Sequence, residues 1–377
     1  MSNKHAFDIN VLHIELGRHL YGGAKQVTYL IDALDKDCRF TQHLICAANS
    51  EISHYNFNRC KTFSIGYKGD TDLMGFKRLL DVVKRIRPDV IHVHSRRGAD
   101  VWGALAAKFT GISAVCTRRV DNTESKLARF KYREYDAVIS ISDGVHNVVS
   151  KHCDKVKYQG VIHSAVDEKE YGQPANQQWL KSKFNIPQHH FVIANFAQYI
   201  PRKGQADLIL AMRELTAQFD NLTCLLFGKG SEEENYRQLI EKHDLQSSVK
   251  LCGFTHEVAN ILPNVDALVH PAYAEGLGVI LLQAGISKCA VISTPVGGIP
   301  EIIKHKQTGL MVSPGDISGL VQAIRLLLAE PEEKIALGKA LQQHVKTHFS
   351  IENMASEYTA LYHQVVKARA RGSISVF

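Results

Sequence analysis

Short runs rich in valine, isoleucine and leucine alternate with helical patterns along almost the whole chain. They predict strands at residues 9–16, 42–48, 89–94, 113–119, 136–142 and 158–164, and again at 191–197, 223–228, 249–253, 266–271 and 290–295. Between them lie segments such as "KGQADLILAMRELTAQF", in which Leu208, Met212 and Leu215 fall on one helical stripe. This alternation predicts an α/β protein with parallel sheets covered by helices on both faces.

A polar interval at residues 168–190, which contains two prolines, interrupts the alternation. It predicts two similar βα domains, an N-terminal one at residues 1–170 and a C-terminal one at 187–351. The last helical pattern, "ENMASEYTALYHQVVKA", carries apolar residues on one side, so we expect it to pack against a domain. Two such domains facing each other would form a cleft with helix N-termini on both walls.

The length and composition fit this organisation. A chain of 377 residues with 45% hydrophobic and 22% charged residues is typical of a soluble two-domain protein. No apolar stretch approaches the ~18 residues of a membrane-spanning helix, and the N-terminus lacks a signal-type apolar core. The eight cysteines include no CxxC pair, which favours reduced thiols over zinc or disulfides and predicts a cytoplasmic protein.

Positive charge is concentrated in the first half of the chain. Residues 1–180 contain 26 Lys and Arg against 20 Asp and Glu, whereas residues 181–377 contain 19 against 18. An excess of this kind suggests an anionic partner, such as a membrane surface, a phosphorylated glycolipid or a nucleic acid. A merely solvated basic surface is the alternative. The chain lacks the aromatic and basic interleaving that stacks bases, so we expect no nucleic acid partner.

Glycines mark several of the loops that follow predicted strands. Gly22 and Gly23 open a helix, which suits an anion against backbone amides, although a tight turn explains the pair equally well. The loop is not GxGxxG, so a dinucleotide site is not supported. Arg202 and Lys203 also lie between a strand and a helix. Further glycines follow other strands, at Gly228, Gly230, Gly297 and Gly298. Together these loops predict a ligand that approaches the backbone.

The stretch "HPAYAEGLGVILLQAG" places Glu275 and Gln283 eight positions apart, roughly 12 Å along a helix. At that separation the two cannot act on one atom as an acid and base. They can contact two separate polyhydroxyl groups of an extended ligand, with the amides of Gly278 and Val279 at a phosphate between them. A sugar–diphosphate–ribose ligand has that layout.

The sequence resembles the retaining nucleotide-sugar glycosyltransferases of family 4, which have the GT-B fold. The resemblance covers nearly the full length and is carried by "YGGAKQV", "PDVIHVHS", "VIHSAVD", "PRKGQADLI", "VKLCGF", "PAYAEGLGVILLQA" and "TPVGGIPEII". It implies two Rossmann-like domains facing across a cleft. The N-terminal domain would bind the acceptor and the C-terminal domain the nucleotide sugar, with a last helix, about 352–377, crossing back to the first domain.

The resemblance also implies donor contacts. In the family's Glu-x7-Glu motif, Glu275 would contact the donor sugar, and Gln283, which replaces the second Glu, would contact the ribose. One diphosphate-binding arginine of the family is missing at Gln198, but Lys203 remains and Arg202 is expected to compensate. The remaining implied donor contacts are Gly22, Gly23, Gly228, Gly253, Phe254, Gly276, Leu277, Gly278 and Val279.

On the acceptor side, Arg119 aligns with a histidine that many family members place beside the reacting sugar. An arginine cannot act as a base there, but it could bind an anionic acceptor or a donor phosphate. The predicted catalytic residues are Glu275, Lys203 and Arg119. The predicted acceptor contacts are His94, Arg96, Arg118 and Asp121.

No metal or other cofactor is expected. His92 and His94 lie on one face of a strand, but the sequence shows no third ligand and no DxD-like acidic pair. Side-chain cations would replace Mg²⁺ at the diphosphate.

The function predicted is transfer of a sugar, with retention, from a nucleoside-diphosphate donor to a saccharide or lipid-linked saccharide. A UDP-sugar is the favoured donor, and lipopolysaccharide or another bacterial envelope glycan the favoured product. The basic half would allow peripheral contact with an anionic membrane at its cytoplasmic face. The alternatives are a nucleotide-sugar epimerase, a phosphorylase on the same two-domain plan, and a non-catalytic relative that binds sugar nucleotides.

Overall fold

The computed structural model describes residues 8–69, 71–95 and 98–372, except for the side chains of 370–372. The chain divides into two compact units. The first unit comprises the residues up to Ala165 together with the chain from Ile351 onward, and the second unit is Val166–Ser350. This division falls slightly before the predicted interval at 168–190. That interval is itself partly helical and belongs to the second unit.

Each unit contains one entirely parallel sheet. The strands of the first are β1 Ile9–Glu15, β2 Phe40–Ala47, β3 Lys61–Ile65, β4 Val90–Val93, β5 Ser113–Arg118, β6 Ala137–Ser140 and β7 Tyr158–Val161. Those of the second are β8 Phe191–Phe196, β9 Leu222–Phe227, β10 Val249–Gly253, β11 Ala267–His270, β12 Ala290–Ser293 and β13 Leu310–Met311.

α-Helices connect most consecutive strands, as the alternation predicts, and a short 3-10 helix at Glu51–His54 lies between β2 and β3. The first unit contains α1 Gly22–Leu34, α2 Leu73–Ile86, α3 Ala99–Thr110, α4 Ala128–Tyr132 and α5 Asp143–Val149. The second contains α6 Glu168–Tyr171, α7 Gln177–Lys183, α8 Gln205–Thr216, α9 Glu233–Lys242, α10 Val258–Ile261, α11 Val279–Ile286, α12 Ile299–Ile302, α13 Ile317–Ala329 and α14 Pro331–His348. The last helix, α15 Ile351–Gly372, returns to the first unit.

Both sheets are doubly wound. The strand order is β3-β2-β1-β4-β5-β6-β7 in the first and β10-β9-β8-β11-β12-β13 in the second. In such a sheet, successive strands are added outward in opposite directions from two central strands. Ligands bind beyond the carboxyl ends of that pair, which we call the reversal point. The pair is β1 and β4 in the first unit and β8 and β11 in the second.

Burial explains why the hydrophobic pattern predicts most of this fold. Val11 and Leu12 are both fully buried although consecutive strand residues face opposite sides of a sheet, so both faces of β1 are covered. The helical stripe of Leu208, Met212 and Leu215 is also fully buried. On α15 the predicted packing face, Met354, Tyr358, Leu361 and Val365, is buried in the first unit. The two predicted Rossmann-like domains are therefore confirmed.

Among the described residues, no helix combines the length and apolar character needed to cross a membrane. All eight cysteines are free thiols, and five of them are buried.

Candidate active site

In the second unit, Lys203 and Glu275 lie on loops that follow β8 and β11, the two strands at the reversal point. Gly204, next to Lys203, has φ +71°, and a Cβ there would lie 2.0 Å from the carbonyl oxygen of Pro271. The N–H of Tyr273 donates to the carbonyl of Arg202 at 2.9 Å. Only glycine permits so close an approach, so the two loops are held in direct contact.

The carboxylate of Glu275 is the centre of this cluster. Its Oε2 accepts hydrogen bonds from Lys203 Nζ at 2.6 Å and from His270 Nε2 at 2.9 Å, and its Oε1 accepts from the N–H of Gly276 at 3.1 Å. The Lys203 and Glu275 side chains are only 10% and 16% exposed. Burial alone would raise the pKa of Glu275, but the His270 hydrogen bond and the Lys203 charge outweigh it and hold that pKa far below its usual range.

The backbone around Glu275 is fixed by the loop after β12. Gly297 has φ +55°, and a Cβ on it would fall 1.6 Å from the carbonyl oxygen of Glu275. The N–H of Gly298 donates to the carbonyl of Gly276 at 3.1 Å. The predicted glycine pair, Gly297 and Gly298, therefore packs against the backbone of the Glu275 loop. These contacts hold the Glu275 backbone in one position.

Helix α11 begins directly after this loop. Gly278 is the N-cap residue of α11 and has φ +90°. No side chain caps the first amides of the helix, so these amides are available for the predicted contact with a phosphate. Further along, the Gln283 Nε2 donates to the hydroxyl of Tyr171 at 2.8 Å. This bond fixes the amide nitrogen, so the carbonyl oxygen is the acceptor that Gln283 can offer to a ligand.

The loops after β8, β9 and β10 also pack against one another. A Cβ on Gly228 would lie 1.9 Å from the carbonyl oxygen of Ala197, and one on Gly230 would lie 2.2 Å from that of Tyr199. By contrast, Gly253 has φ +68°, and a Cβ added to it would meet no atom within 4 Å. The next residue, Phe254, is 43% exposed, with Lys229 Nζ 5.3 Å from its ring centre.

A second cluster lies at the reversal point of the first unit, where β1 ends in Glu15 and His94 follows β4. Arg119 Nη2 is 3.5 Å from His94 Nδ1, and a Cβ on Gly23 would lie 3.3 Å from Arg119 Cδ. Burial raises the pKa of Glu15, although a hydrogen bond from the N–H of Gly17 and the charge of Arg119 both act to lower that pKa. The Arg119 Nε is buried with no hydrogen-bond partner among the described atoms. Four groups thus meet at the start of α1.

Arg118 has a different environment from its neighbour. It is 2% exposed, donates from Nη2 to the carbonyl of Asn122 at 2.8 Å, and lies 3.6 Å from the Glu124 carboxylate. Glu124 also accepts from Lys131 at 2.6 Å. These contacts favour a role for Arg118 in ordering the loop between β5 and α4, so its predicted contact with an acceptor stays a prediction. Asp121, in the same loop, is half-buried.

Three buried histidines meet beside the second cluster, although the sequence suggested only two. His13, His92 and His94 each offer a ring nitrogen within 4.8 Å of the others. His13 Nδ1 is 3.0 Å from His94 Nε2, while the two nitrogens of His92 are engaged by Tyr362 at 2.6 Å and Thr117 at 2.7 Å. The contacts therefore describe a hydrogen-bonded network that ties α15 to β4 and β5.

The structure thus groups the predicted residues into two clusters. Gly23, His94 and Arg119 meet in the first unit, and Lys203 and Glu275 meet in the second, with Gly276 bonded to the carboxylate. Arg96 lies outside the described residues. Sequence reasoning missed His270, Glu15, His13 and Tyr171, which contact predicted residues. Glu15 and His270 each end a strand at a reversal point, which is the signal that would have indicated them.

Comparison with known proteins follows the same division of the chain. The family model described as "Glycosyltransferase Family 4" matches residues 21–170, and the one described as "Glycosyl transferases group 1" matches residues 176–344. Together the two family models span most of the chain without overlapping.

Among curated relatives, N-acetyl-alpha-D-glucosaminyl L-malate synthase of Bacillus anthracis is 26% identical over 80% of this chain and 82% of its own length. The lipopolysaccharide core biosynthesis glycosyltransferase LpsD of Rhizobium meliloti strain 1021 is 28% identical over 50% of this chain and 54% of its own. Among solved structures, Anabaena HepE in complex with UDP and glucose matches with a TM-score of 0.81. That match has 17% identity and covers 94% of this chain and all of the other.

The two sheets, their strand order, the returning last helix and the two family models agree with one another. The chain belongs to the family 4 glycosyltransferases with the GT-B fold.

Proposed function

We propose that this protein transfers a sugar from a nucleoside-diphosphate donor, most simply a UDP-sugar, to a saccharide or lipid-linked saccharide, with retention of configuration. The observation that carries the proposal is the buried Lys203–Glu275 pair at the reversal point of the second sheet. It combines a cation suited to a diphosphate with an ionised carboxylate suited to sugar hydroxyls. The UDP and glucose bound to Anabaena HepE support the choice of donor.

Each part of such a donor has a matching group in the second unit. Lys203 and Arg202 would stabilise the charge that develops on the β-phosphate, assisted by the first amides of α11. Glu275 would accept hydrogen bonds from hydroxyls of the transferred sugar, and the carbonyl oxygen of Gln283 from the ribose. The exposed ring of Phe254, after Gly253, would lie against the base.

In the first unit, the amides of Gly22 and Gly23 and the guanidinium of Arg119 would bind an anionic group, such as that of an anionic acceptor. Arg119 carries a buried Nε without a described partner, and a group with acceptor oxygens would satisfy it. His94, Arg96 and Asp121 would contact the acceptor. The name of the Bacillus anthracis relative contains a dicarboxylate, malate, which is consistent with an anionic acceptor.

The reaction follows from these roles. The acceptor hydroxyl attacks the anomeric carbon on the face from which the diphosphate departs, and its proton passes to the departing phosphate oxygen. The bond from the anomeric carbon to the phosphate oxygen breaks while the new glycosidic bond forms, so configuration is retained without a covalent enzyme intermediate. We propose that side-chain cations replace a metal, so turnover should persist in excess EDTA.

The acceptor that we propose is a glycan of the bacterial envelope, such as the lipopolysaccharide core. The likeness to LpsD over half of the chain supports this assignment. The enzyme would work in the cytoplasm, with peripheral contact to the anionic inner face of the membrane through its basic first half.

A thermal-shift screen of UDP-, GDP-, ADP- and CMP-sugars, followed by transfer and hydrolysis assays with each binder, tests the donor assignment. Glu275→Ala should abolish turnover, whereas Glu241→Ala, an exposed carboxylate on α9, should not change it. Transfer by Glu275→Ala at the wild-type rate would refute the site. Proton NMR of the product reports the anomeric configuration, and an inverted product would refute the retaining mechanism.

A further inference from the structure

Large apolar side chains are unusually exposed on three neighbouring helices of the first unit. Of the ten such side chains among the described residues, six lie on or beside α2, α3 and α4. We call them the apolar patch: Leu73, Met74, Val101, Phe109, Leu127 and Phe130. Leu73, Leu127 and Phe109 are 80%, 71% and 64% exposed. A concentration of this kind marks an interaction surface, whereas scattered single apolar residues do not.

Contacts between the helices make the patch continuous. Phe76 of α2 packs against the rings of Trp102 and Phe109 on α3, with centroids 6.0 and 6.4 Å apart. On the other side of α3, Lys131 of α4 binds Asp100 at 2.5 Å. Helix α3 therefore lies between α2 and α4, and the exposed residues of all three belong to one surface.

Basic side chains surround these apolar groups. The exposed ones on or beside these helices include Lys77, Arg78, Lys84, Arg85, Lys108, Lys126, Arg129 and Arg133, whereas the one exposed carboxylate on α2, α3 and α4 is Asp81. Arg133 lies 5.3 Å from the ring centre of Phe130, so one cation stands directly over the patch. Two of the acidic groups nearby are paired with basic side chains. Glu124 forms an ion pair with Lys131, and Glu134 forms ion pairs with Lys108 at 3.5 Å and Arg133 at 2.9 Å. The surface is therefore net positive around an apolar centre.

We infer that the apolar patch docks on an anionic lipid bilayer. Apolar side chains inserted among acyl chains, with lysine and arginine at the headgroups, are the two contributions that bind a protein to such a surface. The charge complementarity favours anionic lipid over a second copy of this chain, whose own patch is positive. This inference deepens the proposed function, since it places the membrane contact on one surface.

Flotation with vesicles tests the inference on the full-length protein. Wild type should bind vesicles of phosphatidylcholine mixed with phosphatidylglycerol, and should not bind phosphatidylcholine alone. Lys126→Gln with Arg129→Gln should weaken binding about 25-fold, since each basic group near the surface contributes roughly fivefold. Leu127→Ser with Phe130→Ser should weaken it roughly tenfold or more. Wild-type binding should fall as salt increases.

Matched controls come from the second unit. Ile335→Ser with Leu326→Ser removes two exposed apolar side chains, and Arg325→Gln with Lys339→Gln removes two exposed charges. Neither pair should change vesicle binding. Equal loss in a control pair, wild-type binding to neutral vesicles, or no binding at all would overturn the inference. So would concentration-dependent self-association, measured by sedimentation velocity, that the Leu127→Ser and Phe130→Ser changes abolish.

The test separates this inference from the proposed activity. The apolar-patch variants should retain donor binding and donor hydrolysis, and Glu275→Ala should float with anionic vesicles as wild type does. If no sugar nucleotide binds but flotation behaves as expected, the proposed function fails and the docking surface stands.

Discussion

Replacing Lys203 with methionine tests whether the buried ion pair exists in solution and what it contributes. Lysine and methionine have similar length, so the change removes the charge with little change in volume. The Glu275 carboxylate would then keep only His270 and the N–H of Gly276 as partners, in a place where its side chain is 16% exposed. A buried carboxylate that loses its counter-charge destabilises the folded state.

The expected magnitude follows from the geometry. Breaking a buried ion pair costs about 3–5 kcal/mol, and we expect about 3 kcal/mol because both side chains retain slight exposure. For a unit of this size each kcal/mol lowers the Tm by about 2–4 °C, so the transition of the second unit should fall by about 9 °C. Glu275→Gln should also destabilise, because it leaves Lys203 without its partner.

A double-mutant cycle measured by calorimetry separates the interaction free energy of Lys203 with Glu275 from the effect of each single substitution. Combined with Glu275→Gln, Lys203→Met should cost less than the sum of the single changes, with a coupling free energy of about 2 kcal/mol. Lys242→Met, on the exposed face of α9, should change stability by less than about 0.5 kcal/mol. A coupling below about 0.5 kcal/mol would show that Lys203 and Glu275 are not paired, and the site as described would be wrong.

Three further outcomes follow from individual contacts. Under the proposed function, Gln283→Glu should tighten UDP binding about fivefold by calorimetric titration, because an ionised acceptor would bond the ribose hydroxyl more strongly; unchanged or weaker binding would contradict this. Gly297→Ala should lower the Tm far more than Gly253→Ala, since both have positive φ but only the first meets an atom, the Glu275 carbonyl oxygen at 1.6 Å. Burial lowers the pKa of His13 to about 4. The unfolded chain therefore binds more protons below about pH 6.5, and the first unit should lose about 2–3 kcal/mol between about pH 7 and 4.5; a flat stability profile there would refute the buried network.

Among the described residues, the sequence predicts every strand except β3 and β13. All eleven predicted apolar runs coincide with strands, including the partly exposed edge strands β7 and β10. Strand β3, Lys61–Ile65, is exposed or half-buried at four of its five residues because it is an edge strand, so it has no continuous apolar run. Strand β13, Leu310–Met311, has only two residues and lies at the other sheet's edge. A strand that short carries no periodicity to detect.

The glycines show where sequence reasoning stops. Their position after strands correctly predicts special loops, but the inference that a ligand requires them is only part of the explanation. At four positions a Cβ would collide with a carbonyl oxygen of another loop, so glycine is needed there: Gly204, Gly228, Gly230 and Gly297. Those approaches join residues far apart in the chain, which a single sequence does not record. Gly278 has φ +90°, a backbone conformation that favours glycine by itself, so its predicted ligand role stays a prediction.

The contact between His270 and Glu275 is a second feature that the sequence does not predict. His270 stands five positions before Glu275, and a helix or strand would not bring the two together. The turn through Pro271 does so, and a hydrogen bond of 2.9 Å results. The buried Nδ1 of His270 has no partner among the described atoms, so the imidazole is committed to the carboxylate alone.

The Lys203–Glu275 pair explains how the Glu275 carboxylate can be buried and still carry its charge. A lysine buried without a counter-charge tends to lose its proton, and a buried carboxylate tends to gain one. Here the hydrogen bond from His270 and the charge of Lys203 keep Glu275 ionised although it is buried. A phosphate arriving at Lys203 would share the ammonium group with Glu275, which would keep its bond from His270. Under the proposed function, Glu275→Gln therefore separates two contributions of this residue. It keeps an oxygen that accepts sugar hydroxyls but no longer competes for Lys203, so UDP alone should bind at least as tightly as to wild type while sugar transfer falls. Weaker binding of UDP would mean that Glu275 acts chiefly by keeping Lys203 in place.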